Sequence, residues 1–322
     1  MIRNDLCYAL TAGRPMLIDP LKAKAFLDNA NLILSNPDIA YHLSAWSDKY
    51  DNKEGRSRRR SRAGSPWETE ADDGEMENFF SSVTAPEVKD GMGIIPVEGV
   101  IGKGLTKIER MLGCTDLGEI AKIMDAWEKR DDINEIVFKF DSGGGSTSGL
   151  EEMSKKIRNY SKPTAGYCES DCGSAAFWLA SQCNSLFVTP SSSIGAVGIY
   201  LTLKDLTEKH KEDGINVVII KSGEYKAAGV ENTALTSLQF QRLQDEVIEL
   251  HRRFIRDVKS VRVFVDEADL QGQSFYGDEA VRRGLATNLV DEWKQAVEII
   301  KYNRSALNNS AIARLFNQKA II

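Results

Sequence analysis

The sequence predicts an α/β fold in which helices cover the faces of a mostly parallel sheet. Two observations predict this class. Short runs rich in β-branched and aromatic residues, of which Ile133–Phe140 is the best, have the length and composition of buried strands. Between such runs, apolar residues recur at helical spacing, as Leu150, Met153 and Ile157 do. Strands that alternate with helices are typical of parallel sheets, because each helix returns the chain to the same end of the sheet.

The individual elements follow from these two patterns. The predicted strands are Gly93–Val97, Ile133–Phe140, Ala165–Cys168, Leu186–Val188 and Ile215–Ile220. The predicted helices are Leu117–Trp127, Leu150–Ile157, Ala175–Ala180, Leu203–Lys211 and Ser237–Ser260. Pro96 cannot donate a hydrogen bond to a neighbouring strand, so it indicates a sheet edge or a strand end. The last helix carries an apolar stripe from Phe240 to Val258 that suits either the core or an interface.

The α/β pattern occupies only part of the chain. We divide the sequence into a helical N-terminal segment (1–47), a flexible charged linker (48–78), the α/β domain (79–300) and a C-terminal tail (301–322). In the first segment, residues 18–20 are a candidate helix start and Leu21 to Ala30 have helical spacing. The linker joins an arginine cluster to an acidic stretch and buries too little apolar surface to offset its ordering entropy. The acids cancel the basic charge, which disfavours a nucleic-acid-binding arm.

Composition excludes several classes of protein. The 322 residues carry a net charge of −6, which gives no overall attraction to nucleic acid or to an anionic membrane. Five cysteines without a repeated spacing argue against a disulfide framework. Cys168 and Cys172 lie close together, but no second Cys or His pair completes a zinc site, so we expect neither metal nor cofactor. The sequence starts without a signal peptide and has no apolar run of roughly 18 residues, so we expect a cytoplasmic protein without a membrane anchor.

A glycine-rich turn, Asp141-Ser142-Gly143-Gly144-Gly145, follows the best predicted strand. Ligands of α/β folds bind at the carboxyl ends of strands, and glycines let the backbone approach a ligand closely. The turn lacks the Gly-Lys-Ser/Thr end of a phosphate-binding loop and the spaced glycines of a dinucleotide site. Taken alone, it can equally be a plain flexible turn.

Ser174 is the candidate nucleophile. It lies among small residues, Gly173, Ala175 and Ala176, where a helix is predicted to begin. Backbone N–H groups at such a position can face a developing oxyanion, and small neighbours admit substrate. A serine at this position can also be an ordinary helix cap, and the local pattern alone favours the cap.

A serine nucleophile needs a base, and the sequence favours lysine over histidine in this role. His42 lies before the linker, and His210 and His251 lie in charged, helix-patterned stretches where we expect a solvated surface role. Lys221 and Lys226 both lie in a turn rich in small residues after a predicted strand. If one of them is buried there, desolvation favours the neutral amine that can act as a base. An exposed loop lysine is the competing interpretation.

At this point the sequence resembles a known family, the serine peptidases that include signal peptide peptidase A, protease IV and the phage head-maturation proteases. The resemblance covers about residues 91–293 and its motifs occur in the family's order. The matching segments are Gly93–Gly99, Asp141–Gly145, Gly173–Ser181, Ser193–Gly198, Lys221–Lys226 and Phe275–Ala280, followed by Gly284-Leu285 and Leu289–Asp291.

The resemblance implies a crotonase/ClpP-like fold and a Ser–Lys dyad. It implies Ser174 as the nucleophile, Lys226 rather than Lys221 as the base, and an oxyanion hole formed by backbone N–H groups of Gly144, Gly145 and Ala175. Two departures from the family pattern stand beside these residues. Ala175 and Ala176 replace glycines, and Gly143 replaces the usual proline.

The resemblance leaves three functions open. A phage-type peptidase would process capsid, portal or scaffold proteins in the host cytoplasm or inside a procapsid, and would be a homo-oligomer. A bacterial peptidase would degrade cleaved signal peptides, which the missing membrane segment disfavours. A non-catalytic scaffold-associated protein would keep only the fold, which the presence of both Ser174 and Lys226 disfavours. An acyl-CoA enzyme would share the fold but would not need the dyad. The expected partner is a protein or peptide substrate.

Overall fold

The computed structural model describes residues 16–18, 85–106, 109–110, 112–203, 205–230 and 234–319, with the backbone alone at 16–18 and 307–319. The predicted linker 48–78 lies outside these residues, as does the helical pattern at 21–30. Met16–Ile18 form a strand, whereas the sequence had suggested a helix start at residues 18–20.

Within the described residues, ten strands form one sheet. The strands are β1 (Met16–Ile18), β2 (Glu87–Lys89), β3 (Met92–Gly102), β4 (Thr115–Asp116), β5 (Glu135–Ser146), β6 (Thr164–Gly173), β7 (Ser185–Val188), β8 (Ser193–Gly195), β9 (Ser274–Tyr276) and β10 (Asn288–Leu289). The central order is β10-β7-β6-β5-β3-β2, and every neighbouring pair in it is parallel except β2 and β3. The predicted α/β class with a mostly parallel sheet is confirmed.

Helices cover both faces of this sheet. They are α1 (Leu117–Glu128), α2 (Leu150–Arg158), α3 (Ala175–Ser181), α4 (Thr207–Glu212), α5 (Ser237–Val261), α6 (Gly277–Arg282) and α7 (Trp293–Lys319). Alternation along the strands divides the core: Ile136 and Phe138 of β5 face the larger cluster, while Val137 faces a smaller one that also contains Ala296 and Ile300 of α7. Because α7 covers one face of the sheet and passes through residue 300, the predicted boundary between domain and tail falls inside a helix.

Pro96 lies at an edge position, as predicted. β2 pairs only with Met92, Gly93 and Ile94, so no residue of β2 lies opposite Pro96. The nitrogen of Pro96, which has no hydrogen to donate, therefore leaves no β2 carbonyl without a partner. On the other side, Pro96 takes its place in the parallel ladder opposite Lys139. Among the described residues, no helix has the length and apolarity that would span a bilayer.

Two predicted elements differ in the structure. Ile215–Ile220 is not a strand but an irregular segment, with 74% of Val218 and 97% of Ile220 exposed. Its β-branched composition favours a strand, but no neighbouring strand pairs with it within the described residues. The helix predicted at Leu203–Lys211 is shorter, because its first turn does not form and α4 begins at Thr207.

Candidate active site

Ser174 lies in a sharp turn between β6 and α3, at the carboxyl end of the parallel sheet. Its backbone angles are φ 54° and ψ −115°, which residues with a Cβ rarely adopt. Such a conformation costs about 1–3 kcal/mol and persists where surrounding structure enforces it, which is common at functional sites. A serine on a strained strand-to-helix turn is the geometry that presents a nucleophile in other α/β enzymes.

The segment after β7 holds this turn from one side. The backbone N–H of Ser174 donates to the carbonyl oxygen of Gly195 at 2.7 Å, and the N–H of Ala196 donates to Gln273 at 2.7 Å. A Cβ atom on Gly195 would lie 2.7 Å from the Gln273 oxygen, so glycine is required at this close approach. The resembling motif Ser193–Gly198 therefore fixes the backbone of Ser174.

The glycine-rich segment Asp141–Gly145 lies directly beside Ser174. The sequence predicted a turn after the strand here, but the strand continues through these residues with an irregular register, so they are the last part of β5. Ser142 of β5 is in register with Cys172 of β6, and a Cβ atom on Gly173 would lie 3.4 Å from the carbonyl oxygen of Gly143. The structure thus brings together two segments that are about 30 residues apart in the sequence, as expected for the carboxyl ends of neighbouring parallel strands.

The predicted oxyanion donors are not equally free. The Ser142 hydroxyl donates to the carbonyl oxygen of Gly99 at 2.5 Å and accepts from the N–H of Gly144 at 3.1 Å. The N–H of Gly144 is therefore already used inside the turn in this conformation. Gly145 packs against β3 so closely that a Cβ atom would lie 1.9 Å from the carbonyl oxygen of Ile101. Ala175 is fully buried at the first position of α3.

A buried carboxylate anchors the helix that follows Ser174. Asp257 of α5 is 2% exposed and accepts hydrogen bonds from Trp178 Nε1 at 3.1 Å and from Ser154 Oγ at 3.2 Å. The Trp178 ring stacks on Phe254, with centroids 4.5 Å apart and planes at 7°. This network ties α2, α3 and α5 together, and it holds α3 at the position where Ser174 begins it.

Lys226 lies in an exposed turn and not in a buried pocket. The turn is closed by backbone bonds such as Lys226 N–H to Gly223 O at 3.1 Å, and Ala227 has a left-handed φ of 65°. Lys226 is exposed, and within the described residues no hydrogen bond joins its ammonium to the Ser174 hydroxyl. Of the two interpretations that the sequence left open, the exposed loop lysine describes the single chain, since small neighbours in a turn do not by themselves cover a side chain.

The competing lysine has a structural role in the same turn. The ammonium of Lys221 donates to the carbonyl oxygen of Glu224 at 3.0 Å, and the Gln239 side chain donates to that same oxygen at 3.0 Å. Lys221 therefore helps to close the turn that carries Lys226.

Buried thiols near Ser174 are poor alternative nucleophiles. Cys168, Cys172 and Cys183 are all fully buried and free. Burial raises the pKa of the Cys183 thiol to about 12 and raises the pKa of the Cys172 thiol as well. A thiol attacks as the thiolate, so these groups are unreactive at neutral pH.

The histidines depart from the predicted solvated role. Nε2 of His251 lies 3.2 Å from the carbonyl oxygen of Val197 and 2.9 Å from that of Leu270. Because both neighbours are acceptors, Nε2 carries the hydrogen, and its bond to Val197 stabilises the segment after β8. Nδ1 of His210 is buried without a partner among the described residues. Neither contact involves Ser174. In the part of the chain that the structure describes, no group of three or more His, Cys, Asp or Glu residues is placed to hold a metal ion.

These features define the class of the site: a serine at a strained strand-to-helix turn of an α/β protein, beside a glycine turn. Residues 156–306 match the model of the Peptidase family S49. The resemblance predicted from the sequence is confirmed, since the chain is similar to the S49 peptidases over these residues.

The chain is also similar to two curated phage proteins. The chain is 25% identical over 228 residues to the Head-tail preconnector protein GP5 of Enterobacteria phage P21, which covers 69% of this chain and 44% of the relative. It is 24% identical over 231 residues to the Capsid assembly protease C of Escherichia phage lambda, which covers 69% of this chain and 51% of the relative. The chain thus spans about half the length of these relatives.

Among solved structures, the chain is similar to a ClpP1 variant from Listeria monocytogenes, with a TM-score of 0.41 and 11% identity over 68% of this chain and 98% of that one.

Sequence reasoning missed Asp257 and its partners. They are far apart in the sequence, so no local motif marks them. One signal was available: Asp257 lies on the face of α5 that carries Phe254 and Val258, both fully buried. A carboxylate on an apolar helix face predicts a buried, hydrogen-bonded group.

Proposed function

We propose that this protein is a serine endopeptidase in which Ser174 is the nucleophile and Lys226 is the general base. The observation that carries the proposal is the backbone of Ser174, which is held in a strained conformation at the meeting point of two strand ends. The family match and the position of Lys226 in the turn that resembles the family's base-bearing turn support it.

In the proposed reaction, the neutral amine of Lys226 accepts the hydroxyl proton of Ser174 as Ser174 attacks the peptide carbonyl. Backbone N–H groups of Ala175 and of the Gly144–Gly145 turn stabilise the tetrahedral oxyanion, a contribution of about 2.7–4 kcal/mol for each donor. Lys226 then protonates the leaving amine, and a water that it activates hydrolyses the acyl-enzyme. The donation from Gly144 requires that its N–H leave the Ser142 hydroxyl as substrate binds.

The exposed Lys226 must be covered for this chemistry. Desolvation favours the neutral amine that a general base requires. The segment that precedes Lys226 and the start of α5 expose an unusual amount of apolar surface, since 74% of Val218, 97% of Ile220 and 58% of Phe240 are exposed. We propose that a second copy of the chain covers this surface in a homo-oligomer. The apolar stripe of α5 is consistent with this arrangement, because its C-terminal residues Phe254 and Val258 are buried in the core while Phe240 is not.

The direct test compares turnover of unfolded, fluorescein-labelled casein by four proteins: wild type, Ser174→Ala, Lys226→Met and Lys221→Met. We expect Ser174→Ala and Lys226→Met to abolish turnover while circular dichroism stays unchanged. Lys221→Met is the matched control from the same turn and should keep a substantial part of the activity. Loss of activity in Lys221→Met with retention in Lys226→Met would reverse the assignment of the base. A fluorophosphonate probe should label the peptide that contains Ser174 in the wild type and in Lys221→Met, but not in Ser174→Ala or Lys226→Met.

We further propose that the natural substrate is a capsid, portal or scaffold protein and that cleavage takes place in a bacterial cytoplasm during phage head assembly. The names of the two phage relatives support this proposal. Co-expression with the capsid and scaffold proteins encoded beside this chain tests it. Wild type should shorten one of them, or cleave within its own residues 48–78, and Ser174→Ala should leave all of them at full length. Identical band patterns would rule out the maturation role.

A further inference from the structure

The edge of β5 beyond Ser142 is open to an additional strand on the side of Ser174. β6 accompanies β5 only to the register pair Ser142–Cys172 and then turns through Ser174 into α3. On its other edge, β5 stays paired with β3 through Gly144 and Gly145. Beyond the point where β6 leaves, this edge of β5 is not covered by β6 and can pair with another extended segment that lies next to Ser174.

The chain's own strand β1 occupies this edge. β1 is antiparallel to β5, with Met16 opposite Ser146, Leu17 opposite Gly145 and Ile18 opposite Gly144. Because β3 already fills the opposite edge at Gly144 and Gly145, β1 must lie on the edge that faces Ser174. It is therefore placed where the backbone of an extended substrate would reach the nucleophile.

The pairing has the properties of a reversible contact. β1 has only three residues, and a strand pair this short is marginal in water. In the sequence, Pro15 and Pro20 flank it, and since proline has no N–H to donate, the ladder cannot extend through either of them. As part of the same chain, however, the segment is present at a high effective concentration next to the edge.

We propose that residues 16–18 are a built-in competitor for this edge, and that an extended polypeptide binds at the site only when β1 leaves it. The proposal rests on the proposed peptidase function for its biological meaning, but the competition for the β5 edge is a separate claim. If β1 occupies the edge nine-tenths of the time, it weakens apparent substrate affinity by about tenfold.

The test uses the full chain in a Ser174→Ala background, so that binding is measured without turnover. Neighbouring N–H groups of a strand point to opposite edges, so the double variant Leu17→Pro/Ile18→Pro removes an N–H aimed at β5 whatever the bonding pattern. The matched control, Leu17→Ala/Ile18→Ala, shortens the same side chains but keeps both N–H groups. Thermal unfolding of all variants identifies any loss of the fold.

Two measurements decide the outcome. Hydrogen exchange of the peptide spanning residues 142–146 should be faster in the proline variant than in the alanine variant, because β1 no longer protects these amides. Affinity for unfolded casein should rise about tenfold in the proline variant only. Unchanged exchange would overturn the pairing, and faster exchange with unchanged affinity would overturn the competition. Absence of turnover in the wild type would overturn the proposed function and leave both of these measurements interpretable.

Discussion

The indole Nε1 of Trp178 donates a 3.1 Å hydrogen bond to the carboxylate of Asp257, which joins α3, the helix that follows Ser174, to α5. The carboxylate is buried, and its charge is balanced by Arg256 at 3.1 Å. A buried carboxylate that accepts several hydrogen bonds is costly to remove, because its partners lose their acceptor without regaining water.

Asp257→Ala should lower the free energy of unfolding by about 2–4 kcal/mol, since the buried N–H of Trp178 loses its acceptor and Arg256 loses its ion pair. Asp257→Asn keeps an oxygen for Trp178 and should cost clearly less. Urea unfolding of both variants measures the difference. Equal losses in the two variants would show that charge, and not the hydrogen bond to Trp178, stabilises this junction.

The sequence was sufficient for the elements whose pattern and environment agree. The predicted strand Ile133–Phe140 overlaps the first half of β5, which begins two residues later, and Ala175–Ala180 forms all but the last residue of α3, because burial on a sheet and on a helix leaves a clear periodicity. It failed for Ile215–Ile220, because strand composition does not reveal whether a neighbouring strand is available.

The site divides in a similar way. The position of Ser174 beside Gly143–Gly145 could be predicted, because glycine and small residues near strand ends mark close backbone approaches, but the predicted turn at these glycines is part of β5. The exposure of Lys226 and the pairing of β1 with β5 could not, because both depend on which surfaces distant segments cover. Local composition carries no information on such long-range packing.

Gly145→Ala should disrupt the end of β5 beside Ser174. A Cβ atom there would lie 1.9 Å from the backbone oxygen of Ile101, so β3 and β5 would have to separate. We expect a loss of about 3 kcal/mol or more of unfolding free energy, together with loss of fluorophosphonate labelling at Ser174. Gly104→Ala is the matched control, because Gly104 has a φ of 70° but nothing within 4 Å of the added Cβ. It should cost about 1 kcal/mol. A Gly145→Ala protein with wild-type stability would contradict the close approach.

Glu151 should give a pH-dependent contribution to stability. Its hydrogen bond with Lys155 lowers the pKa of this carboxyl, and Arg256 adds to the effect. Because the folded pKa lies below the unfolded value, the stabilisation is present above the unfolded pKa of about 4.3 and is lost as the pH falls through the folded pKa. Glu151→Gln should therefore cost up to about 1 kcal/mol at pH 7, as partly exposed ion pairs do, and less at pH 3.5.

Glu152→Gln provides the control for this prediction. Glu152 is exposed on the same turn of α2 and forms no ion pair with another described residue. Its replacement should leave the unfolding free energy almost unchanged at both pH values. A Glu151→Gln deficit that is as large at pH 3.5 as at pH 7 would mean that packing, and not charge, is responsible.

The buried thiols should be protected in the folded protein. At pH 7, iodoacetamide should leave Cys168, Cys172 and Cys183 unmodified, because all three are fully buried and burial raises the pKa of the Cys172 and Cys183 thiols. Peptide mass spectrometry after brief treatment measures this, with urea-unfolded protein as the positive control. Rapid native modification of Cys172 would show that the region around Ser174 opens far more than the fold implies.

The strain at Ser174 predicts an unusual order of stability between two inactive variants. Ser174→Ala and Ser174→Gly both lack the hydroxyl, but only glycine adopts φ 54° and ψ −115° without a steric penalty. Relief of about 1–3 kcal/mol of strain should outweigh the extra entropy of glycine in the unfolded chain, which is about 0.5–1 kcal/mol. Ser174→Gly should therefore be at least as stable as Ser174→Ala in urea unfolding.

Ala176→Gly is the control, at a buried helical position two residues further on. It should show the ordinary order and lose about 1 kcal/mol or more of unfolding free energy against the wild type. If Ser174→Gly were instead less stable than Ser174→Ala by that ordinary amount, the turn would not be strained, and the proposal that the protein stores strain at its nucleophile would be wrong.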